Sequence, residues 1–330
     1  MAIKQPSELM TIDKKIRILI AGFPGICKTT LGLSAPNPLL IDTDRGIDRV
    51  MAVHRKPFIQ PDNYEELLRD LTVENITDFE TLVFDTGGQL LKLMAEWAKK
   101  TNSANGQKDG TLTKKGYGVI GKEFENLINR SYYELNKNVV VIFHAKEVTE
   151  DEKIKLRILV EGQTKDTVYQ PMDLAGFIDM QGSKRVIEFG NTERHFGKCC
   201  HGISPRMEIS QLDENTPNDF LTNLFRQINE NIRKEAELCE RSNTEYKSVM
   251  ADINKIIDSM TDIKTVKKAA ENLKNIDHVK TSLTESQLLF RKKLDELNLK
   301  YNKETGDYNA KTETAGKSSK TETIDNSFIA

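Results

Sequence analysis

Residues 15–34, KIRILIAGFPGICKTTLGLS, constrain the fold more than any other stretch. The apolar run 16–21 reads as a short buried strand, too short to cross a membrane. It empties into Gly22, Phe23, Pro24, Gly25, Ile26, Cys27, Lys28, Thr29 and Thr30, after which Leu31 and Leu33 suggest an amphipathic helix. Strand, glycine-bearing loop and a helix opening on Lys-Thr form the P-loop arrangement, in which backbone N–H groups and a helix N-terminus face phosphate oxygens. Lys28 would add a point charge at the β- and γ-phosphates, and the Thr29 hydroxyl would hold Mg²⁺. One position departs from G-x-x-x-x-G-K-[ST]: Cys27 stands where the glycine before the lysine is expected. Glycine suits that place because the backbone approaches phosphate closely and adopts a conformation that a Cβ opposes.

The remaining acids and strands fall where such a loop needs them. Residues 39–41 read as a second buried strand ending in Asp42-Thr43-Asp44-Arg45-Gly46, and catalytic groups of open α/β sheets gather at such strand ends. Residues 81–85 form a third, the Walker B pattern, delivering Asp85 to the Mg²⁺ shell beside Thr29. Residues 139–143 form a fourth, ending at His144, a candidate sensor of the terminal phosphate. Between them, 101–118 is rich in Gly, Asn, Lys and Thr without apolar periodicity. It reads as a mobile loop, either an ordinary solvated connection or a surface where Lys108, Lys114, Lys115 and Tyr117 meet DNA.

Beyond Glu147 the pattern shifts to short strands (154–160, 177–181, 185–189 and 206–209) with turns at Glu161-Gly162 and Gly182-Ser183, expected as antiparallel additions to the parallel core. From 218 onward it is helical, with stripes at Leu221, Leu224, Phe225 and Ile228 and at Val249, Ile253, Ile257 and Met260, expected as a small bundle or coiled-coil-like hairpin. The expected division is an ATPase core over 1–212, a helical region over 213–301, and a disordered tail over 302–330 rich in Lys, Thr, Glu and Ser.

Composition excludes several classes. A formal net charge of −2 with 30% charged residues gives no global attraction to nucleic acid, so any such binding is local. Cys27, Cys199, Cys200 and Cys239 form no regular disulfide framework, and residues 1–15 carry no apolar signal core. The expectation is a soluble cytoplasmic protein without membrane association. His195, Cys199, Cys200 and His201 also cluster closely enough to raise a zinc site as an alternative to reduced structural cysteines.

In this order, GFPGICKTT, LLIDTD, the LVFDT strand, VVVIFHAKE and the segment 173–198 resemble the phage and prophage ATP-binding proteins of the RecA-like AAA group. Some members of that group are assigned to recombination by single-strand annealing. The resemblance implies a RecA-like core binding ATP and Mg²⁺, with Lys28 and Thr29 on phosphate and metal and Asp85 supporting the metal. It puts Asp44 where relatives keep a water-activating glutamate, His144 at the sensor position, and Lys198 as a basic residue reaching a neighbouring subunit's nucleotide. The second basic residue often found two positions later is here Cys200. The resemblance further implies a homo-oligomer in a bacterial host's cytoplasm, acting on single-stranded DNA. The C-terminal helices or tail would reach a phage or host recombination or replication protein. A competing reading is a nucleotide-dependent scaffold that binds ATP with little turnover and holds a protein partner through those helices, a reading that Cys27 motivates.

Overall fold

The computed structural model describes residues 6–11, 13–150, 152–160, 164–303 and 305–311. In chain order the elements are β1 (Arg17–Gly22), α1 (Lys28–Gly32), β2 (Pro38–Asp42), β3 (Phe58–Ile59), α2 (Tyr64–Asp70), β4 (Thr81–Asp85), α3 (Gly87–Thr101), α4 (Lys114–Asn129), β5 (Asn138–Glu150), β6 (Lys153–Ile158), α5 (Thr164–Thr167), β7 (Leu174–Gln181), β8 (Lys184–Glu188), β9 (Arg206–Ile209), α6 (Phe220–Asp258), α7 (Ile263–Lys274), α8 (Ser282–Glu296), β10 (Leu299–Asn302) and β11 (Asp307–Ala310). Two compact units divide the chain: Thr11–Arg233, and Met1–Met10 with Lys234–Ala330.

In the larger unit a nine-stranded sheet runs β3-β2-β4-β5-β1-β7-β8-β9, with β6 paired to β5. Strands β1 to β5 and β7 pair in parallel. Strands β6, β8 and β9 are added antiparallel. The strand sequences are continuously apolar because both faces are covered. On β5, Val139, Val141 and Phe143 enter one core with α2, α3 and α4. Val140 and Ile142 enter a second with Leu31, Leu33 and the start of α6. This is the α/β P-loop fold, a mostly parallel sheet with antiparallel additions and a helical C-terminal region.

Three expectations shift. The stretch 101–118 is an ordered turn that runs into a helix. Asn105 is buried with its Nδ2 donating to the Ala98 carbonyl, and Gly106 bridges Leu112. Thr113 caps α4 by accepting from the Gly116 N–H. Lys114, Lys115 and Tyr117 therefore sit on the first turns of a helix rather than in a loop. The two C-terminal stripes belong to one helix of 39 residues whose first turns serve the sheet's second core. The division between the compact units accordingly falls between Arg233 and Lys234, later than residue 212. The expected tail begins instead with an antiparallel hairpin, Tyr301 opposite Tyr308, whose Tyr308 ring packs 6.0 Å from Phe290. Residues 312–330, and the turn expected at Glu161-Gly162, lie outside the described residues. The turn at Gly182 is present with φ 62°.

The smaller unit packs Ile253, Ile257 and Met260 of α6 with Val266 and Leu273 of α7, Phe290 and Leu294 of α8, and Tyr308. Asp262 opens α7 with a capping box: its side chain accepts from the Thr265 N–H while the Thr265 hydroxyl accepts from the Asp262 N–H.

Candidate functional site

The C-terminal ends of four adjacent strands converge. In register, Gly22 lies opposite His144, and Asp85 lies opposite both Asp42 and Ile142. The loop after β1 turns at Gly25, with φ 79°, and Cys27 adopts the left-handed conformation, φ 63° and ψ 35°, just before α1. The glycine preference read from sequence is thus a backbone requirement that Cys27 meets under strain. Its thiol is exposed, and the sulfur lies 4.0 Å from the Gly25 carbonyl.

Lys28 is 6% exposed and its Nζ donates to the Phe23 carbonyl at 2.8 Å. Burial lowers the affinity of this amine for its proton, and Asp85, Asp44 and Cys27 act in the opposite direction. Thr29 Oγ1 donates to Asp85 Oδ2 at 2.5 Å. Burial pushes the Asp85 carboxyl up to about 6; the Thr29 hydrogen bond and Lys28 oppose this, while Asp42 and Asp44 add to it. A hydroxyl and a buried carboxylate are the all-oxygen donors that suit a small hard cation such as Mg²⁺.

The two acids after β2 have different surroundings. Asp42 accepts from the N–H groups of Gly46 and Ile47 and from Gln60 Nε2, so it shapes the loop. Asp44 accepts from Arg49 Nη1 at 3.2 Å and remains partly open to solvent. It lies within electrostatic reach of Lys28, Asp85 and His144. His144 has a lowered pKa, first from burial and then from the Lys28 cation, so the ring is biased toward neutrality; its Nδ1 is buried without a partner.

Lys198 stands apart from this group. It bridges Ala175 on the far side of β7, and its Nζ donates to the Met172 carbonyl. With Arg157, Tyr169 and the exposed Phe196 ring it lines a cavity of about 430 Å³. The zinc alternative is overturned. His195 stacks on Phe177, Cys199 and Cys200 point at the carbonyls of Ile203 and Asp173, and His201 faces Lys14. Among the described residues no cluster of three His, Cys, Asp or Glu could hold a metal.

Sequence reasoning missed the support behind the loop. Asn218 Nδ2 donates to the Thr30 carbonyl at 2.7 Å, and Leu221 N–H and Thr222 Oγ1 bond to Ser34. Helix α1 has five residues and so depends on these partners for its terminal groups. Beside them, Cys27, Thr30, Arg185, Met207 and Pro217 line a further cavity of about 380 Å³. No spacing rule relates residue 218 to residue 30, so this contact carries no local signal.

A parallel sheet whose central strand feeds a Lys-Thr helix, with a buried aspartate on the neighbouring strand end bonded to that threonine, defines a P-loop nucleotide-binding domain. The chain belongs to the AAA domain family, whose match spans residues 14–200. Among solved structures, the ATPase domain of a helicase is similar at 13% identity and a TM-score of 0.27, over 54% of this chain and 77% of that one. No curated protein matches. Among the described residues, no helix is long and apolar enough to cross a membrane.

Proposed function

We propose that this AAA-domain protein is an ATPase of the RecA-like phage type, working on single-stranded DNA in recombination or annealing. The observation that carries the nucleotide part is the Lys28–Thr29–Asp85 arrangement at the end of β1 and β4. Lys28 and the loop N–H groups bind the β- and γ-phosphates, and Thr29 and Asp85 hold Mg²⁺. Mg²⁺ supplies charge neutralisation on the phosphate oxygens when bound. Asp44 orients or deprotonates the attacking water, and His144, kept neutral, reads the terminal phosphate. The cavity beside Cys27 and Thr30 receives the nucleoside end. In a homo-oligomer Lys198 leaves Met172 to neutralise charge on a neighbour's nucleotide, a role worth about 10³–10⁵ in rate where such fingers operate. The DNA part rests on the sequence resemblance, with Lys108, Lys114, Lys115 and Tyr117 as contacts.

The test is phosphate release measured with no DNA, with single strands and with duplex, in the parent and in Lys28→Ala. Stimulation by single strands alone, abolished in Lys28→Ala, is the expected result; indifference to both forms of DNA removes the DNA reading. The strained Cys27 favours a second reading, the scaffold that binds ATP with little turnover and holds a partner through α7 and α8. Tight binding of an ATP analogue without phosphate release under any of these conditions would select it.

A further inference from the structure

On the α3–α4 side of the sheet a second opening, about 550 Å³ in volume, lies within the size range of small-ligand sites. One part of its wall is apolar, from Leu91 and Ala95 on α3, Ile120 on α4 and Leu159 after β6, with the half-buried Tyr117 ring beside them. Its cations divide into two kinds. Lys99 is occupied by Glu96 at 2.6 Å and by the Gly110 carbonyl at 3.0 Å. Lys92 and Lys146 also line the opening, are exposed, and form no ion pair among the described residues.

Buried polar groups are almost always hydrogen-bonded, so the exceptions point to a missing partner. Of the five buried side-chain atoms without one among the described residues, two belong to this wall: Thr164 Oγ1 and His144 Nδ1. Thr164 is 1% exposed. An apolar shelf with an aromatic ring, two unsatisfied polar atoms and two unpaired lysines asks for a flat ring with polar edges and an attached anion. A nucleotide has that composition.

We infer that this cavity takes one nucleotide unit, its base against Ala95, Ile120 and Tyr117 and its phosphate at Lys92 and Lys146. The inference rests on the DNA reading above and names the part of the strand that enters. It differs from a mobile-loop contact, since the receiving surface is built from the ordered α3, α4 and β5. Thr86, directly after Asp85, and His144 are part of the same wall, so an occupied cavity touches the strand ends that carry the phosphate site.

The experiment uses the full chain saturated with a non-hydrolysable ATP analogue, so that the P-loop is already filled. A labelled oligothymidylate and a matching strand with abasic positions are titrated by fluorescence polarisation against the parent, Ala95→Phe, and the double variant Lys92→Ala/Lys146→Ala. Base stacking at this level predicts about tenfold weaker binding for Ala95→Phe and for the abasic strand. Loss of two phosphate contacts should flatten the salt dependence by about 1.4 in log–log slope. Unchanged analogue binding in Ala95→Phe shows that the fold is intact. If Ala95→Phe matches the parent and abasic positions cost nothing, the cavity inference is overturned while the DNA reading stands. If the parent binds no strand, the DNA reading fails and thymidine monophosphate decides the cavity. Saturable binding lost in Ala95→Phe then supports a site for the free nucleotide, and no binding overturns it.

Discussion

Cys27 shows what one side chain can cost at a phosphate loop. Its φ of 63° is open to glycine and costs other residues about 1–2 kcal/mol. Cys27→Gly should therefore raise thermal stability by about 1 kcal/mol and tighten binding of an ATP analogue. An unchanged melting temperature would show that the cysteine sits there without strain. Asp173 makes a second residue-scale case. Burial pushes its carboxyl up, but Arg17, through side chain and backbone, together with Lys14, holds it below the ordinary value. A lowered folded pKa contributes stability above the unfolded value of 3.8, and that contribution disappears as pH falls through the folded value. Asp173→Asn should cost on the order of 3 kcal/mol at neutral pH, because Arg17 is left largely buried and unpaired. It should also flatten the acid limb of a stability–pH curve measured by urea unfolding. At this scale Lys28, Thr29 and Asp85 were legible because a motif fixes their spacing. Arg49 and Asn218 were not, since only the folded chain brings them to Asp44 and Thr30.

The elements divide by how much of their signal is local. Strands β1, β4 and β5 were readable because burial on both faces demands unbroken apolar runs. The first turn of α4 was not, since Gly116 and Gly118 weaken helix propensity there. The structure gives these two glycines different meanings. A Cβ on Gly116 would lie 2.3 Å from the Asn105 carbonyl, so glycine permits the turn 102–113 to close against the helix; at Gly118 a Cβ meets open space. Gly116→Ala should thus destabilise by about 1–3 kcal/mol, whereas Gly118→Ala should stabilise by about 0.5–1 kcal/mol. Thermal melts of the two variants check this. Equal, negligible effects would restore the picture of a mobile loop.

At the scale of the whole chain, the boundary placed by composition at residue 212 differs from the boundary set by packing. Helix α6 is continuous from Phe220 to Asp258, but its apolar stripes serve different cores: Leu221, Leu224, Phe225 and Ile228 join Leu31 and Leu33, and Ile253, Ile257 and Met260 join Phe290. A periodicity read along one helix cannot reveal that its two halves have different partners, which is why the stripes looked like one bundle. Removing the first four side chains at about 1.5–3 kcal/mol each forfeits roughly 6–12 kcal/mol, as much as an entire domain's margin of about 5–15 kcal/mol. It also strips the Thr30 carbonyl of Asn218 and Ser34 of Leu221 and Thr222, loosening the helix that carries Lys28 and Thr29. A fragment spanning 11–233 should therefore melt cooperatively and bind an ATP analogue, while one spanning 11–212 should fail at both. A folded, binding-competent 11–212 fragment would mean that α1 holds its shape without α6, and the P-loop would then owe its geometry to the sheet alone.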